Sequence, residues 1–469
     1  MTEEAQARLR AAEREILARR PEHAIKPTLD RIRALTSLLG DPQHAYPVVH
    51  ITGTNGKTST SRMTEALLRA RGLRTGLFTS PHLTSIRERI CVDGVPLSAQ
   101  AFADAYQEVA PYAVMVDQAQ PVPLSFFEVL TAMAFAVFAD APVDVAVIEV
   151  GLGGTWDSTN VADGTVAVVT PVSLDHMAYL GGTIAEIAGN KAGIIKPGSV
   201  AVLAQQPVEA AEVLLRRTAE VGATVAREGL EFGVLRRDLA VGGQRIAIRG
   251  LRGEYEDLFL PLFGAHQAGN AACALAAVEA FASPPQAAGG APQPLDGQMV
   301  GAAFAAMSSP GRLEVLRRSP LVIADAAHNP SGMAATVAGL AEAFSVTHLI
   351  AVVAVSEDKD VPGILDQLEP EASEIVVTRN SSSRSMDAAK LAELAGAVFG
   401  PDRVHQAARL DEAIDRAVEL ADTSDAGDLS AGGLPGGSAV LVTGSVVTAG
   451  DARLLLAGPV LPGEPAGPA

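Results

Sequence analysis

The segment Val48-Val-His-Ile-Thr-Gly-Thr-Asn-Gly-Lys-Thr58 sets two glycines and a lysine directly behind a short apolar run. Gly53 and Gly56 let the backbone curl so that successive N–H groups point inward. Lys57 adds a positive charge, and the start of the following helix adds its dipole. Together these suit the β- and γ-phosphates of a nucleotide. The usual phosphate loop is G-x-x-x-x-G-K-[ST]. Here Ile51 stands where its first glycine belongs, so an ordinary glycine turn entering a helix is the competing interpretation.

A second apolar strand pattern, Asp144-Val-Ala-Val-Ile-Glu149, ends in one carboxylate. In nucleotide-binding α/β proteins ligands sit beyond the carboxyl ends of the strands. A carboxylate there can hold Mg²⁺, which keeps several waters and needs few protein ligands. Alone, such a Glu is more often a solvated cap. The stretch 151–160 is too polar and glycine-rich for core and contains the single Trp, Trp156. A third strand pattern runs into Thr170-Pro-Val-Ser-Leu-Asp-His-Met177, and His176 falls near Glu149 if the two strands are neighbours. Thr183 and Glu186 form a capping box for the helix that carries Lys191. In the second half, Asp325 ends a strand and Asn329 can cap the next helix. Arg312 reads as a contact to phosphate or as a plain linker charge.

These residues need strands and helices to place them. Helical patterns cover Glu3–Arg19 and Pro27–Leu39. Strand-like runs lie at Tyr46–Ile51, Arg74–Thr79, Val143–Val150 and Thr165–Thr170, with helical segments between most of them. That alternation implies a mostly parallel sheet covered on both faces. An alanine-rich helix follows Asn270, and 282–298 reads as a Pro/Gly-rich loop. A second α/β pattern has strands near Leu321–Ala324, His348–Val353, Glu374–Val377 and Ala439–Val442. The boundary is placed near 309, giving domains 1–308 and 309–469. Residues 421–437 read as a flexible insertion and 458–469 as a disordered tail.

The 469 residues suffice for two or three domains at about 150 each. A net charge of −18 argues against nucleic-acid backbones and anionic membrane surfaces as partners. Cys91 and Cys273 stand far apart, outside any CxxC, so a reducing cytoplasm is expected. No apolar run is long enough to span a bilayer, and the N-terminus lacks an apolar signal core.

Nine motifs occur in an order that resembles the folate branch of the Mur ligase superfamily. They are Gly53-Thr-Asn-Gly-Lys57, Thr79-Ser-Pro-His-Leu83, Ser125-Phe-Phe-Glu128, Glu149-Val-Gly-Leu-Gly-Gly154, Leu174-Asp-His176, Asn190-Lys-Ala-Gly193, His266-Gln-x-x-Asn270, Pro310-Gly-Arg312 and Asp325-Ala-Ala-His-Asn-Pro330. The resemblance implies the α/β Mur ligase fold: a P-loop-type, mostly parallel sheet domain followed by a smaller Rossmann-like α/β domain. It implies an ATP-dependent ligase that joins L-glutamate to dihydropteroate or to the tail of reduced folates through an acyl phosphate, with two Mg²⁺ ions. Whether both activities or tail extension alone operate stays open.

By motif position, Gly53, Thr54, Asn55, Gly56, Lys57 and Thr58 cradle the phosphates. Ser80 and Glu149 match ligands of the first Mg²⁺ and His176 a ligand of the second. Lys191 matches a lysine that carries a carbamate beside that metal. Lys57, His176 and Lys191 are thereby the expected catalytic residues. Asn270, Arg312 and Asp325 match nucleotide contacts. Ser125, Phe126, Phe127, Glu128, Trp156, Asp157 and Ser158 match pterin-binding segments, with a weaker match around Arg19–Pro21. Thr58 and Thr155 depart from residues common in relatives. A monomer acting on small molecules is expected. A cell-wall Mur ligase is the nearest rival, but only 52 residues precede Gly53, too few for the extra domain such enzymes carry. A plain ATPase or nucleotide switch would not need a second domain presenting Arg312 and Asp325.

Overall fold

The computed structural model describes residues 3–21, 26–282, 293–430 and 437–458. Its first sheet contains β1 (Val48–Thr52), β2 (Thr75–Phe78), β3 (Ile90–Val92), β4 (Val95–Pro96), β5 (Val145–Glu149), β6 (Gly164–Val169), β7 (Val200–Leu203) and β8 (Thr224–Arg227). The order is β4-β3-β2-β5-β1-β6-β7-β8, parallel from β2 through β8 and antiparallel at β3 and β4. Every residue of β1 and β5 is buried, which is why their sequences are mostly apolar without an alternating pattern. Val49 and Ile51 face a core built with Met63, Leu67 and Leu275, from helices Lys57–Ala70 and Ala265–Phe281. On the opposite face Val48 and Ile148 pack with Ile32, Phe102 and Phe135, from helices Asp30–Leu38, Ala99–Ala119 and Phe126–Asp140.

An antiparallel sheet of β9 (Gly233–Ala240), β10 (Gly243–Arg249) and β11 (Glu254–Leu260) joins the first core through Ile246, Ile248 and Leu258. The sequence reading did not anticipate it, because its strands carry exposed charges and only part of one face is buried. The third sheet has β12 (Glu314–Arg318), β13 (Leu321–Ala324), β14 (Val346–Val353), β15 (Ala372–Val377), β16 (Val404–Gln406) and β17 (Gly437–Thr443), in the order β12-β13-β17-β14-β15-β16. Only β12 runs antiparallel there.

Three expectations need correction. The stretch from Ala421 is helical as far as Ser430, within Leu410–Ser430. Ala413, Ile414, Ala417 and Ala421 form a buried stripe at helical spacing, and Asp425 accepts hydrogen bonds from Ser438 N (3.1 Å) and Oγ (2.6 Å). Residues 431–436, the rest of the expected insertion apart from Gly437 of β17, lie outside the described residues. The alanine-rich helix opens at Ala265, ahead of Asn270. Finally, β5 and β6 are not neighbours, since β1 lies between them, so the premise for placing His176 beside Glu149 fails. Residues 283–292 and 459–469 of the expected loop and tail lie outside the described residues, and 297–298 belong to helix Gly297–Ala305. Among the described residues no helix is long and apolar enough to cross a membrane.

Candidate active site

Between β1 and helix Lys57–Ala70 the chain turns through two glycines at positive φ, Gly53 (150°) and Gly56 (87°). A methyl on Gly53 would sit 1.8 Å from Thr170 Oγ1 and one on Gly56 2.4 Å from Asn270 Oδ1, so only glycine fits either place. Thr54 and Asn55 donate their N–H groups to Pro171 O, and Thr54 Oγ1 donates to Ser173 O (3.0 Å), which ties the loop to the segment after β6. Lys57 Nζ folds back onto Gly53 O and Thr54 O, each at 3.1 Å. Burial lowers its pKa, and Glu149 and Asp175 oppose that shift.

Glu149 is buried at the end of β5. Its Oε1 accepts from Thr58 Oγ1 (2.8 Å) and its Oε2 from Ser80 N (3.2 Å). Burial pushes its carboxyl up, against the pull of the Lys57 charge. Arg312, from beyond β11, is close enough for its charge to act on both Lys57 and Glu149. Among the described residues no three His, Cys, Asp or Glu side chains converge on one point. The donor set at Glu149 is therefore one carboxylate with the Thr58 hydroxyl oxygen beside it. That fits Mg²⁺, which fills its sphere with water and phosphate oxygens.

His176 opens a short turn at φ 51°. Its Nε2 lies 3.3 Å from Lys359 Nζ, which also donates to Asp175 Oδ1 (2.7 Å). Burial and the Lys359 ammonium lower the His176 imidazole to about 3, so it is neutral. Burial acts to raise the Asp175 carboxyl, but the hydrogen bond from His328 and the charge of Lys359 hold it well below the usual range. Lys191 reaches Gly53 O instead, at 2.6 Å, and burial with the neighbouring Lys57 charge lowers its pKa well below that of a free lysine. The capping box expected at Thr183 and Glu186 is present on its helix.

Near the glycine loop lies a cleft of about 380 Å³ walled by both halves of the chain. Ser80, Phe127, Trp156 and His176 line it from the first, and His328, Lys359 and Ser445 from the second. Ser125 and Glu128 also line it, while forming the capping box of helix Phe126–Asp140. Glu128 is further held by Arg31 Nε at 2.9 Å and Arg20 Nη2 at 3.5 Å. Phe126 points away into the core, where Arg89 lies 4.9 Å over its ring. Asp325 also stays out of the cleft, with its carboxylate taken by Leu313 N, Ala327 N and Thr336 Oγ1. Asn270 Nδ2 donates to Gln267 Oε1 (3.1 Å) under the loop.

Lys359 was missed by the sequence reading. Its signal was available: Glu357-Asp-Lys-Asp360 follows the end of β14, where ligands of such sheets gather. His50 was read only as part of a strand. It is fully buried, and its Nε2 lies 2.9 Å from Thr159 Oγ1. Burial lowers its imidazole from the ordinary 6.5 to about 3. Below pH 6.5 the unfolded chain binds a proton there that the folded chain refuses until about pH 3. The stability this group contributes is thus complete above that upper value and lost progressively as pH falls. Urea melts should show His50→Gln losing less stability than the parent chain between about pH 7 and about pH 4.5; parallel acid slopes would refute this.

Residues 51–278 match the Mur ligase middle domain, and residues 311–445 match the Mur ligase glutamate ligase domain. The dihydrofolate synthase/folylpolyglutamate synthase of Mycobacterium tuberculosis is 52% identical over 448 residues, 93% of this chain and 91% of the relative. The chain belongs to the folylpolyglutamate synthase family of Mur ligases. Members of this family are ATP-dependent ligases that form carbon–nitrogen bonds. Crystal structures of Mycobacterium tuberculosis folylpolyglutamate synthase with ADP and AMPPCP superpose with a TM-score of 0.90 at 50% identity, covering 96% of this chain and 99% of that one. The Escherichia coli FolC protein in complex with DHPP and ADP gives a TM-score of 0.78 at 28% identity, covering 92% and 94%. The Mur ligase fold expected from the motifs is the fold observed.

Proposed function

We propose that this family member joins L-glutamate to dihydropteroate and to the glutamate tail of reduced folates, at the expense of ATP. The observation that carries the reading is the pairing of a half-buried phosphate loop with a cleft that both halves of the chain wall. A phosphorylated carboxylate hydrolyses readily, so the chemistry needs a site that the second half can close. In this reading 1–308 holds the nucleotide and 309–469 closes over it. Asn55 and Asn329 exchange amide hydrogen bonds (3.2 and 3.1 Å) across that junction, and Ser331 meets both Asn55 and Ser173 at 2.8 Å.

The substrate carboxylate takes the γ-phosphoryl group, forming an acyl phosphate and ADP. The glutamate amine then attacks the carbonyl carbon, loses a proton, and expels phosphate to leave an amide. Lys57 and the loop N–H groups stabilise charge on the transferring group. Phe127 and Trp156 offer aromatic faces to a pterin, and Arg312 supports the nucleotide from the second half. Glu149 and Ser80 would hold Mg²⁺, with His176 at a second ion, and Mg²⁺ when bound neutralises triphosphate charge. The protein works in the cytoplasm as a monomer.

ADP release is expected to require L-glutamate together with a pteroate acceptor, and to proceed with both dihydropteroate and tetrahydrofolate. Turnover of tetrahydrofolate alone would reduce the activity to tail extension. ADP release indifferent to acceptor and glutamate would refute the ligase.

A further inference from the structure

From the geometry we infer that His50 is a positioning residue for the pteroate side of the cleft, acting through Thr159 on Asp157. This rests on the function proposed above. Thr159 Oγ1 lies 2.6 Å from Asp157 Oδ1 and 2.9 Å from His50 Nε2. A carboxylate only accepts, so the threonine proton goes to Asp157 and its oxygen accepts from His50 Nε2–H. Asp157 Oδ1 also takes Thr159 N (3.0 Å), and Asp157 Oδ2 takes Leu152 N (2.9 Å). One carboxylate thereby knots the loop after β5, whose Leu152, Trp156, Asp157 and Ser158 wall the cleft.

His50 is otherwise a poor choice for its place. It lies in the middle of β1, between Ile148 of β5 and Ala167 of β6, and is wholly buried. Its Nδ1 has no hydrogen-bond partner. An unpaired buried nitrogen destabilises, and an aliphatic side chain would avoid that cost. The one polar contact made by the ring is the one that orients the threonine under the cleft wall.

The chain has a single Trp, Trp156, in that wall, so its fluorescence reports a ligand there without catalysis. The test titrates dihydropteroate into the parent chain and into His50→Leu, Thr159→Val and His50→Gln, and measures KM for dihydropteroate and for ATP in each. His50→Leu and Thr159→Val are expected to bind dihydropteroate about tenfold more weakly, from loss of one buried hydrogen bond to the wall. KM for ATP should stay unchanged, which also shows that the variants are folded. His50→Gln keeps an N–H donor near the Nε2 position and should recover most of the affinity. If His50→Leu does not fold, Thr159→Val carries the test. Parent-like dihydropteroate binding in the folded Leu and Val variants overturns the inference alone. So does an equal rise in both KM values, or a Gln variant no better than Leu. A parent chain that gives no dihydropteroate response overturns the proposed function, and this inference with it.

Discussion

Lys57→Ala is expected to lower turnover by about 10²-fold or more while leaving the fold intact, by the scale of other electrostatic donors to a transition state. Half-buried Lys57 rests its Nζ against two carbonyls of its own loop, at a point where Glu149, Asp175, Lys359 and Arg312 all act on it. Charge placed there acts through little water and needs no rearrangement when the phosphoryl group transfers. The alanine truncation also frees Thr54 O, whereas Gly53 O keeps its contact from Lys191 Nζ at 2.6 Å. Steady-state ADP release at saturating ATP and an unchanged thermal melt would together support this role. Near-normal turnover would remove Lys57 from the chemistry.

Lys191→Ala is expected to abolish most activity and to regain part of it with added formate or acetate. Lys191 Nζ is buried, and burial with the neighbouring Lys57 charge lowers its pKa well below that of a free lysine, which raises the share of neutral amine. A neutral amine can add CO₂, releasing one proton and leaving a carbamate with two oxygens. The remaining N–H can still donate to Gly53 O, so the 2.6 Å contact is compatible with the modified side chain. The modification would place an anion beside Lys57, and Mg²⁺ prefers oxygen donors. Extra density on the Lys191 amine in a crystal structure with Mg²⁺ and nucleotide is the direct check. A bare amine there, with full activity of the alanine variant, would rule the carbamate out.

Much of the site was legible because its parts are local. The glycine loop, the strand-end Glu149 and the capping box at Thr183 each fall within a few residues of chain, where backbone geometry dictates residue type. The buried strands were legible for the same reason, since both faces of β1 and β5 are covered and every position is apolar or hydrogen-bonded inside. The helix through Ala421 was hidden because its buried stripe is made of small residues among polar ones, a weak periodic signal. The antiparallel sheet β9–β11 was hidden by its exposed charges.

Fold class, the glycine turn after β1 and the strand-end carboxylate followed from sequence because each depends on short-range sterics and on apolar patterning. Partners across long separations did not. Phe126 and Phe127 are adjacent and chemically alike, yet one turns into the core beneath Arg89 while the other faces the cleft. Asp325 spends its carboxylate inside its own half, and Lys191 meets Gly53 138 positions away. The interposition of β1 between β5 and β6 separates Glu149 from the strand that leads to His176, and the docking of the second half brings Lys359 to Asp175. Sheet order and domain docking are set by how whole elements bury their faces, so only the tertiary structure decides which side chains meet.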